Sequence, residues 1–326
     1  MRAVIYRRRG VASEVLSLEE VPVPMPGPGE VRVRIYASGV NPTDWKSRLG
    51  AGVSAEPLEE FQIPHHDGAG VIDAVGPGVA SRAVGERVWV FLAAFQNRWG
   101  TAAEYALLPA GHTRPLPAGV SFEFGACLGV PAVTAAHCLG NGPEELFGKT
   151  VLVSGGAGAV GHFAIELAHA AGARVAATVS SDAKAQLARE AGADLVVNYR
   201  EPGSLEALRA FSPRMDRIVE VALGANLEQD LAVTGPGTII TVYASEPSGD
   251  PVIPTGRLMA LNATLHYVLL YGISDRELCD SVNWVQAALE AGVLSPLPLH
   301  RYPLEEAARA QDAVETHAVG KVLVLP

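Results

Sequence analysis

The feature that most constrains the fold of this chain is a glycine-rich turn that follows a short apolar run. The segment from Val151 to Gly161 reads VLVSGGAGAVG and contains a G-x-x-G-x-x-G pattern. Glycine supplies the positive φ that a tight strand-to-helix turn needs. Free N–H groups at the start of the next helix bind a pyrophosphate, and the last glycine lets helix and strand pack closely. The turn therefore predicts a dinucleotide site at Gly155, Gly158, Ala159 and Val160.

The residues around this turn alternate between strand-like and helix-like patterns. Apolar residues step by three and four between Val160 and Ala168, as on one face of a helix. Ser181 or Asp182 is positioned to cap a second helix. We predict strands over Thr150–Ser154, Arg174–Val179, Asp194–Tyr199, Ile218–Ala222 and Thr238–Val242. This alternation of strands and helices predicts an α/β fold with a parallel sheet.

The end of the second strand indicates which cofactor the turn accepts. NAD-binding proteins usually place an Asp or Glu about 20 residues after the turn. Here Ser180 lies 180 − 161 = 19 residues after Gly161, and the strand tip, Thr178 to Ser181, contains no carboxylate. Hydroxyls together with the nearby Lys184 suit a 2′-phosphate, which a carboxylate would repel. We therefore predict NADPH, with Ser180, Ser181 and Lys184 as contacts.

Length and the rest of the chain indicate a second domain. The 326 residues suggest about two domains at roughly 150 residues each. The first 120 residues look β-rich, since segments such as Glu30 to Tyr36 alternate polar and apolar residues. After the cofactor region we predict a strand over Ala263–Leu270, a helix over Ser274–Ala291, an amphipathic segment over Leu304–Glu315 and a final strand over Lys321–Leu325.

Composition excludes several classes of protein. The formal charge of −10 makes nucleic acid a poor partner. The N-terminus has no apolar signal core, and the longest uncharged run, Phe124 to Pro143, is interrupted by proline and glycines. The three cysteines form no C-x-x-C pair, so neither a disulfide scaffold nor zinc spacing is indicated. We predict a cytoplasmic protein without a membrane partner.

With these residues in view, the chain resembles the quinone oxidoreductase (zeta-crystallin-like) branch of the medium-chain dehydrogenase/reductase superfamily. The resemblance covers nearly the whole chain, and its specificity comes from the order and spacing of several landmarks. These are residues 39–44 (GVNPTD), 64–76 (PHHDGAGVIDAVG), 85–88 (GERV), 101–105 (TAAEY), 131–135 (PAVTA), the glycine turn, 198–201 (NYRE) and 320–322 (GKV).

The resemblance implies a fold and a set of roles. It implies a Rossmann cofactor domain over residues 122–270 and a GroES-like β-barrel catalytic domain over 1–121 and 271–326. Asn41 would be the catalytic contact to the nicotinamide ribose or the substrate, and Lys184 and Tyr199 would hold the 2′-phosphate. Further cofactor contacts would come from Thr134, Val242, Tyr243, Val268 and Lys321. Some family members have an arginine near position 316, where this chain has Thr316 and His317.

The resemblance also predicts that no metal is used. Zinc relatives have a Cys near position 41, Gly-His-Glu near 66 and another Cys near 132. This chain has Asn41, His65-His66-Asp67 and Ala132 there, whereas a catalytic zinc keeps about three protein ligands. Without a Lewis acid, the best hydride acceptor is one that needs little activation.

We therefore expect an NADPH-dependent reductase of quinones. Trp45 and His66 are candidates for the substrate pocket, and Asp44, Lys46 and His66 are candidate proton donors beside bulk water. An enone or alkenal double-bond reductase and a non-catalytic NADPH-binding protein stay open as alternatives. The β-prone segment Ala263–Leu270 would form an edge strand, which predicts a homodimer.

Overall fold

The chain folds into two compact units. The computed structural model describes residues 1–51, 58, 60–245 and 251–326. Unit 1 comprises Met1–Pro131 and Pro298–Pro326, and unit 2 comprises Ala132–Leu297. The predicted division lay at residues 121/122 and 270/271, so the helix predicted after residue 274 falls in unit 2. Hydrogen bonds explain this, because Ser295 donates its backbone N–H at 3.0 Å, and its hydroxyl, to Glu166 of unit 2.

The strands follow one another along the whole chain. They are β1 (Arg2–Ile5), β2 (Ser17–Glu20), β3 (Glu30–Val40), β4 (Asp67–Val75), β5 (Arg87–Val90), β6 (Tyr105–Pro109), β7 (Thr113–Pro115), β8 (Thr150–Ser154), β9 (Arg174–Val179), β10 (Leu195–Asn198), β11 (Met215–Glu220), β12 (Thr234–Val242), β13 (Thr264–Tyr267), β14 (Leu299–Pro303) and β15 (Lys321–Leu325). β8, β9 and β15 have the predicted bounds, and β13 is shorter than predicted.

The α-helices are concentrated in the second half of the chain. They are α1 (Ala12–Val15), α2 (Pro42–Leu49), α3 (Phe122–Gly125), α4 (Gly129–Leu139), α5 (Ala159–Ala170), α6 (Asp182–Glu190), α7 (Ser204–Phe211), α8 (Leu223–Val233), α9 (Thr255–Ala260), α10 (Asp275–Glu290) and α11 (Ala307–Glu315). Short 3₁₀ turns cover Ala110–His112, Pro143–Glu145, Leu270–Gly272 and Leu304–Glu306. No helix of the described ranges is long and apolar enough to cross a membrane.

Unit 2 is built on a parallel sheet, as predicted. Its strand order is β10-β9-β8-β11-β12-β13, and every neighbouring pair is parallel. The chain moves outward from β8 in one direction and from β11 in the other. The carboxyl ends of β8 and β11 therefore form the point at which an open α/β sheet binds its ligand.

Unit 1 is built on mostly antiparallel strands. The described strands follow the order β14-β15-β3-β4-β5-β7, with β6 also paired to β3. Its core contains Val31, Val33, Ile35, Ile72, Val88 and Val90. The long strand β3 ends directly before Asn41, which starts α2. The pairing of β15 with β3 brings the end of the chain to this position, since Val322 is opposite Val40.

Candidate functional site

The glycine turn in unit 2 has the geometry that its sequence predicts. Gly155 follows β8 with φ of +72°, a left-handed conformation that favours glycine. A Cβ on Gly161 would lie 2.4 Å from the carbonyl oxygen of Gly155, so the helix can approach the turn only without a side chain. Gly158 is exposed and precedes α5, whose first residues, Ala159 and Val160, are half-buried. The turn thus offers free N–H groups at a helix start.

The tip of β9 forms a small polar cluster next to this turn. The Lys184 ammonium donates a hydrogen bond to Ser180 Oγ at 3.1 Å, and the Lys184 backbone N–H donates to Ser181 Oγ at 3.4 Å. Ser181 is therefore the cap of α6. The N–H of Tyr199 donates to the carbonyl of Val179 at 3.0 Å, which fixes Tyr199 beside the tip with 48% of its surface exposed. The four predicted phosphate contacts, Ser180, Ser181, Lys184 and Tyr199, are thus neighbours.

Thr178 connects this tip to the glycine turn. Its hydroxyl accepts the Gly155 N–H at 3.3 Å, and its carbonyl accepts the Gly156 N–H at 3.0 Å. The side chain is buried, with 2% exposed. The same strand therefore holds the turn in place and presents the hydroxyls of Ser180 and Ser181.

The other cofactor candidates of unit 2 lie at two separate places. Val268 follows the edge strand and donates its N–H to the carbonyl of Val242 at 2.8 Å, while Tyr243 donates to the carbonyl of Glu220 at 3.1 Å. These three candidates are therefore neighbours at the carboxyl ends of β12 and β13. Thr134 lies in α4 and is 6% exposed, so its hydroxyl offers little accessible surface.

A buried carboxyl pair lies at the end of β11, and nothing in the sequence pattern indicated it. Glu220 accepts a hydrogen bond from the Asn226 amide at 2.9 Å, and Glu220 and Asp230 are both fully buried. Burial, with the Glu220 charge nearby, raises the pKa of Asp230 well above its usual range. Asp230 is therefore harder to ionise than an ordinary aspartate.

In unit 1 the structure assembles four polar side chains around the start of α2, here called the Asn41 array. The Asn41 amide nitrogen donates to Asp67 Oδ2 at 2.7 Å, and the Lys321 ammonium donates to Asn41 Oδ1. Lys321 also donates to the Val40 carbonyl at 3.2 Å. Asp44 completes the array, because its Oδ2 accepts the Asn41 backbone N–H at 2.6 Å in a capping box.

Burial controls the protonation of this array. Asn41, Asp44, Asp67 and Lys321 each expose 3% of their surface or less. Burial raises the pKa of Asp67 to about 6, although Lys321 and the Asn41 hydrogen bond oppose the shift. Burial also raises the pKa of Asp44 to about 8, and the nearby Asp67 charge adds to this. Near neutral pH the array therefore contains one protonated carboxyl, that of Asp44, and one ionised carboxylate, that of Asp67.

The two candidates for the substrate pocket differ in their surroundings. His66 is 3% exposed, and burial lowers its pKa to about 3, so the imidazole is neutral at ordinary pH. Trp45 lies in α2, half-buried, and its ring has the Lys46 ammonium 5.6 Å from its centroid. His66 adjoins Asp67 of the Asn41 array, whereas Trp45 takes no part in the array's hydrogen bonds.

Sequence reasoning missed most of the polar partners in unit 1. The sequence places His65 and Asp67 only where zinc relatives have Gly-His-Glu, with His65 as a polar cleft or packing residue, and it assigns no role to Ser38 or Gln311. These residues meet through pairings between distant parts of the chain, so no local spacing indicates them. The structure gives His65 a φ of +76°, a left-handed conformation that favours glycine.

Comparison with known families agrees with this architecture. Residues 27–118 match the family described as the alcohol dehydrogenase GroES-like domain. Residues 159–286 match the family described as zinc-binding dehydrogenase. The first match covers much of the antiparallel unit, and the second begins at α5, directly after the glycine turn.

Individual relatives extend the similarity along the whole chain. A quinone oxidoreductase of Rattus norvegicus is 32% identical over 312 residues, covering 95% of this chain and 92% of the relative. A 2-haloacrylate reductase of Burkholderia sp is 29% identical over 335 residues, covering 100% and 99%. Each of these is a protein to which the chain is similar over nearly all of its length.

Solved structures show the same two-domain fold. The crystal structure of an NAD-dependent alcohol dehydrogenase superposes with a TM-score of 0.88 at 29% identity, covering 100% of both chains. The Escherichia coli quinone oxidoreductase, solved in complex with NADPH, superposes with a TM-score of 0.83 at 26% identity, covering 100% of each chain. The predicted combination of a Rossmann domain and a GroES-like domain is confirmed.

These similarities, together with the glycine turn and the domain matches, define the class of the protein. The chain belongs to the quinone oxidoreductase branch of the medium-chain dehydrogenase/reductase superfamily. It is an oxidoreductase, as the sequence predicted.

Proposed function

We propose that this oxidoreductase uses NADPH to transfer a hydride to quinones and does so without zinc. The observation that carries the choice of cofactor is the hydrogen bond of Lys184 to Ser180 at a strand tip that lacks a carboxylate. A cation and hydroxyls at this place suit the negative charge of a 2′-phosphate. The solved E. coli relative, which binds NADPH, supports the same choice.

The glycine turn fits the rest of such a cofactor. Ala159 and Val160, at the start of α5, would offer N–H groups to its pyrophosphate. Gly155 and Gly158 would shape the turn, since their own N–H groups are bonded within it, to Thr178 Oγ1 and to the Gly155 carbonyl. Ser180, Ser181, Lys184 and Tyr199 would hold the 2′-phosphate. Thr134, Val242, Tyr243, Val268 and Lys321 stay candidates for the remaining contacts. When bound, NADPH supplies the hydride, and the chain's own residues orient the acceptor and exclude water.

The donor set argues against a catalytic zinc. Positions 41, 66 and 132, where zinc relatives have ligands, lie outside the matched range 159–286. Ala132 has no donor atom, and the oxygen of Asn41 accepts a hydrogen bond from the Lys321 ammonium. A divalent cation at that oxygen would meet a positive charge, so zinc would be repelled rather than bound. Stoichiometric zinc by elemental analysis, with activity lost to chelators, would contradict this part of the proposal.

The acceptor must then react without Lewis-acid activation. Quinones satisfy this requirement, since a hydride and one proton convert a quinone to a hydroquinone. Trp45 is the proposed flat wall for such a planar acceptor. We take water as the proton source, because His66 is neutral and the Asp44 carboxyl is 3% exposed.

A second candidate function has a specific observation in its favour. The chain is similar over its length to a 2-haloacrylate reductase, whose named substrate is an activated alkene. The hydride would then go to the β-carbon of an enone or alkenal. A protein that binds NADPH without catalysis is the third possibility.

One panel of assays separates these three functions. NADPH oxidation is followed with a set of quinones, a set of enones and alkenals, and no acceptor. Faster oxidation with quinones supports the proposal, and faster oxidation with alkenals supports the alternative. Tight NADPH binding without turnover on any acceptor would indicate a binding protein.

We also propose that the protein acts as a homodimer in the cytoplasm. The edge strand β13 ends at Tyr267, which is 62% exposed, and Leu269, two residues further on, is 53% exposed. A groove of about 480 Å³ beside it is lined by Leu258, Met259 and Leu265. A second copy would cover this edge, since unpaired strand edges invite pairing. Three free cysteines suit a reducing compartment. A monomeric mass by light scattering at micromolar concentration would contradict the dimer.

A further inference from the structure

His65 adopts a backbone conformation that a histidine rarely takes in a protein core. Its φ is +76°, and the residue is fully buried. A left-handed conformation costs a residue with a Cβ about 1–2 kcal/mol. Such strain persists only where the surroundings over-determine the residue, and it concentrates at functional sites. The side-chain contacts of His65 should therefore show what the strain supports.

A chain of hydrogen bonds fixes the imidazole in one tautomer. Arg48 has only donors, and its Nε donates to Gln311 Oε1 at 2.7 Å, which sets the orientation of that amide. The Gln311 NH₂ group must then donate to His65 Nε2, 3.2 Å away. His65 Nε2 is therefore an acceptor, so the ring proton is on Nδ1. Burial lowers the pKa of this imidazole to about 3, so it stays neutral.

The same series of hydrogen bonds continues from His65 to Asp67. His65 Nδ1 donates to Ser38 Oγ at 2.9 Å, and Ser38 in turn donates to Thr101 Oγ1 at 2.8 Å. The Thr101 hydroxyl donates to the main-chain carbonyl of Asp67 at 2.6 Å. Ser38 and Thr101 are fully buried, so no water competes for these bonds.

The direction of these hydrogen bonds excludes a proton relay. Every donor points from Arg48 toward Asp67, and the last acceptor is a peptide carbonyl, which does not take up a proton at ordinary pH. An amide and a guanidinium at the other end do not exchange protons readily either. This series of hydrogen bonds can therefore hold the segment around Asp67 in place, but it cannot supply a proton to a reaction.

We propose that Gln311 is a positioning residue for the Asn41 array and acts through His65. This inference rests on the proposed function, in which Asn41 contacts the bound cofactor or the substrate. Gln311 lies in α11 and is fully buried, 246 residues from His65. Through His65 it fixes the main chain of Asp67, whose carboxylate holds the Asn41 amide. Gln311 itself touches neither member of that pair.

Two substitutions of Gln311 test the proposal. Gln311→Met keeps a similar volume and removes both hydrogen bonds. Gln311→Glu keeps the bond from Arg48 but replaces the donor to His65 Nε2 with an acceptor, so a proton must move to Nε2. Arg309→Met, on the exposed surface of the same helix, is the control, because it breaks an exposed pair with Glu306 and a surface contact with the Tyr302 ring, 6.0 Å away, but none of the bonds that lead to His65.

We expect kcat with the best acceptor to fall at least about tenfold in both Gln311 variants, which corresponds to about 1.4 kcal/mol. The Kd for NADPH should change less than about twofold, since the 2′-phosphate contacts are untouched. Arg309→Met should match the wild type. A kcat within about twofold of wild type in both Gln311 variants, or a fall that only follows the folded fraction, would overturn the proposal.

A spectroscopic measurement separates this proposal from the proposed function. Nitrogen NMR of ¹⁵N-labelled histidines reports which ring nitrogen of His65 carries the proton, and the side-chain amide signal of Asn41 reports its environment. In Gln311→Glu we expect the proton of His65 on Nε2 and a shifted Asn41 signal. If the wild type reduces no acceptor, the proposed function fails, and this readout still decides the inference. An unchanged Asn41 signal would then overturn it.

Discussion

The Asn41 array of unit 1 and the cofactor turn of unit 2 are built in opposite ways. The array consists of buried charged and polar side chains, and Asn41, Asp67 and Lys321 form hydrogen bonds with one another. The turn consists of glycines and free backbone N–H groups next to a partly exposed lysine and tyrosine.

This difference determines how each region should respond to substitution. In the array, removing one side chain leaves another buried group without its partner, so stability should fall first. At the turn, the backbone segments are too close to admit a side chain, so an added methyl group should lower stability and cofactor binding the most. At the strand tip, one cation acts on one ligand group, so only cofactor selectivity should change.

The largest effect is expected at the closest packing of the turn. In Gly161→Ala, the new Cβ would lie 2.4 Å from the Gly155 carbonyl oxygen, so the turn and α5 must separate. We expect a loss of about 3 kcal/mol in unfolding free energy and loss of measurable NADPH binding. Urea unfolding and fluorescence titration check this.

Gly256→Ala is the matched control for that substitution. Nothing lies within 4 Å of a Cβ at Gly256, which is in helix α9 of the same unit. This variant should keep its NADPH affinity and gain slightly in stability. Normal NADPH binding by Gly161→Ala would contradict this difference between the regions, because it would show that the close approach of α5 to the turn is not required for binding.

The next effect concerns the ammonium of the array. Lys321→Met removes the donor to Asn41 Oδ1 and the charge that keeps the pKa of Asp67 from rising further. We expect a loss of about 2–3 kcal/mol in unfolding free energy, as for a buried group that loses a charged partner. The exposed Lys149→Met should stay within about 0.5 kcal/mol of wild type. Equal stability of the two variants would show that the array is not held by its charges.

The third prediction uses the protonated carboxyl of the array. The pKa of Asp44 is about 8 in the fold against 3.8 ordinarily, with Tyr6, Asp67 and Lys321 as the charged or titratable neighbours. Between these values the folded state binds more protons than the unfolded chain, so stability falls as pH rises. Asp44→Asn keeps an acceptor for the Asn41 N–H but cannot ionise.

The pH window of this experiment isolates Asp44 from the buried histidines. His65 and His66 have lowered pKa values of about 3, so their contribution is complete above pH 6.5 and is lost only in acid. Between pH 6.5 and 8, wild type should lose about 2 kcal/mol more than Asp44→Asn. Asp230 is present in both proteins, so its contribution cancels in the difference. Parallel stability curves in this window would show that Asp44 is ionised in the fold.

The same contrast explains what could be predicted from sequence. The turn, the strand tip and the Ser181 cap are local patterns, so spacing alone predicted β8, α5, β9 and the start of α6. The array joins Asn41 to residues 26 and 280 positions away. Such contacts depend on how β3, β4 and β15 pair, and a single sequence does not determine that pairing. Asn41 itself was found only through the family resemblance.

The smallest effect is expected at the strand tip, where a single cation faces solvent. Lys184→Ala removes the ammonium next to Ser180 but leaves the glycine turn unchanged. A charge-assisted hydrogen bond is worth about 1.5–3 kcal/mol, and partial exposure favours the low end, so the Kd for NADPH should rise roughly tenfold. NADH lacks the 2′-phosphate, so its Kd should not change. Fluorescence titration of both cofactors measures this directly. If the substitution weakens the binding of both cofactors equally, Lys184 stabilises the fold of the strand tip and does not bind the 2′-phosphate. The tip would then resemble the Asn41 array, in which polar side chains support the structure.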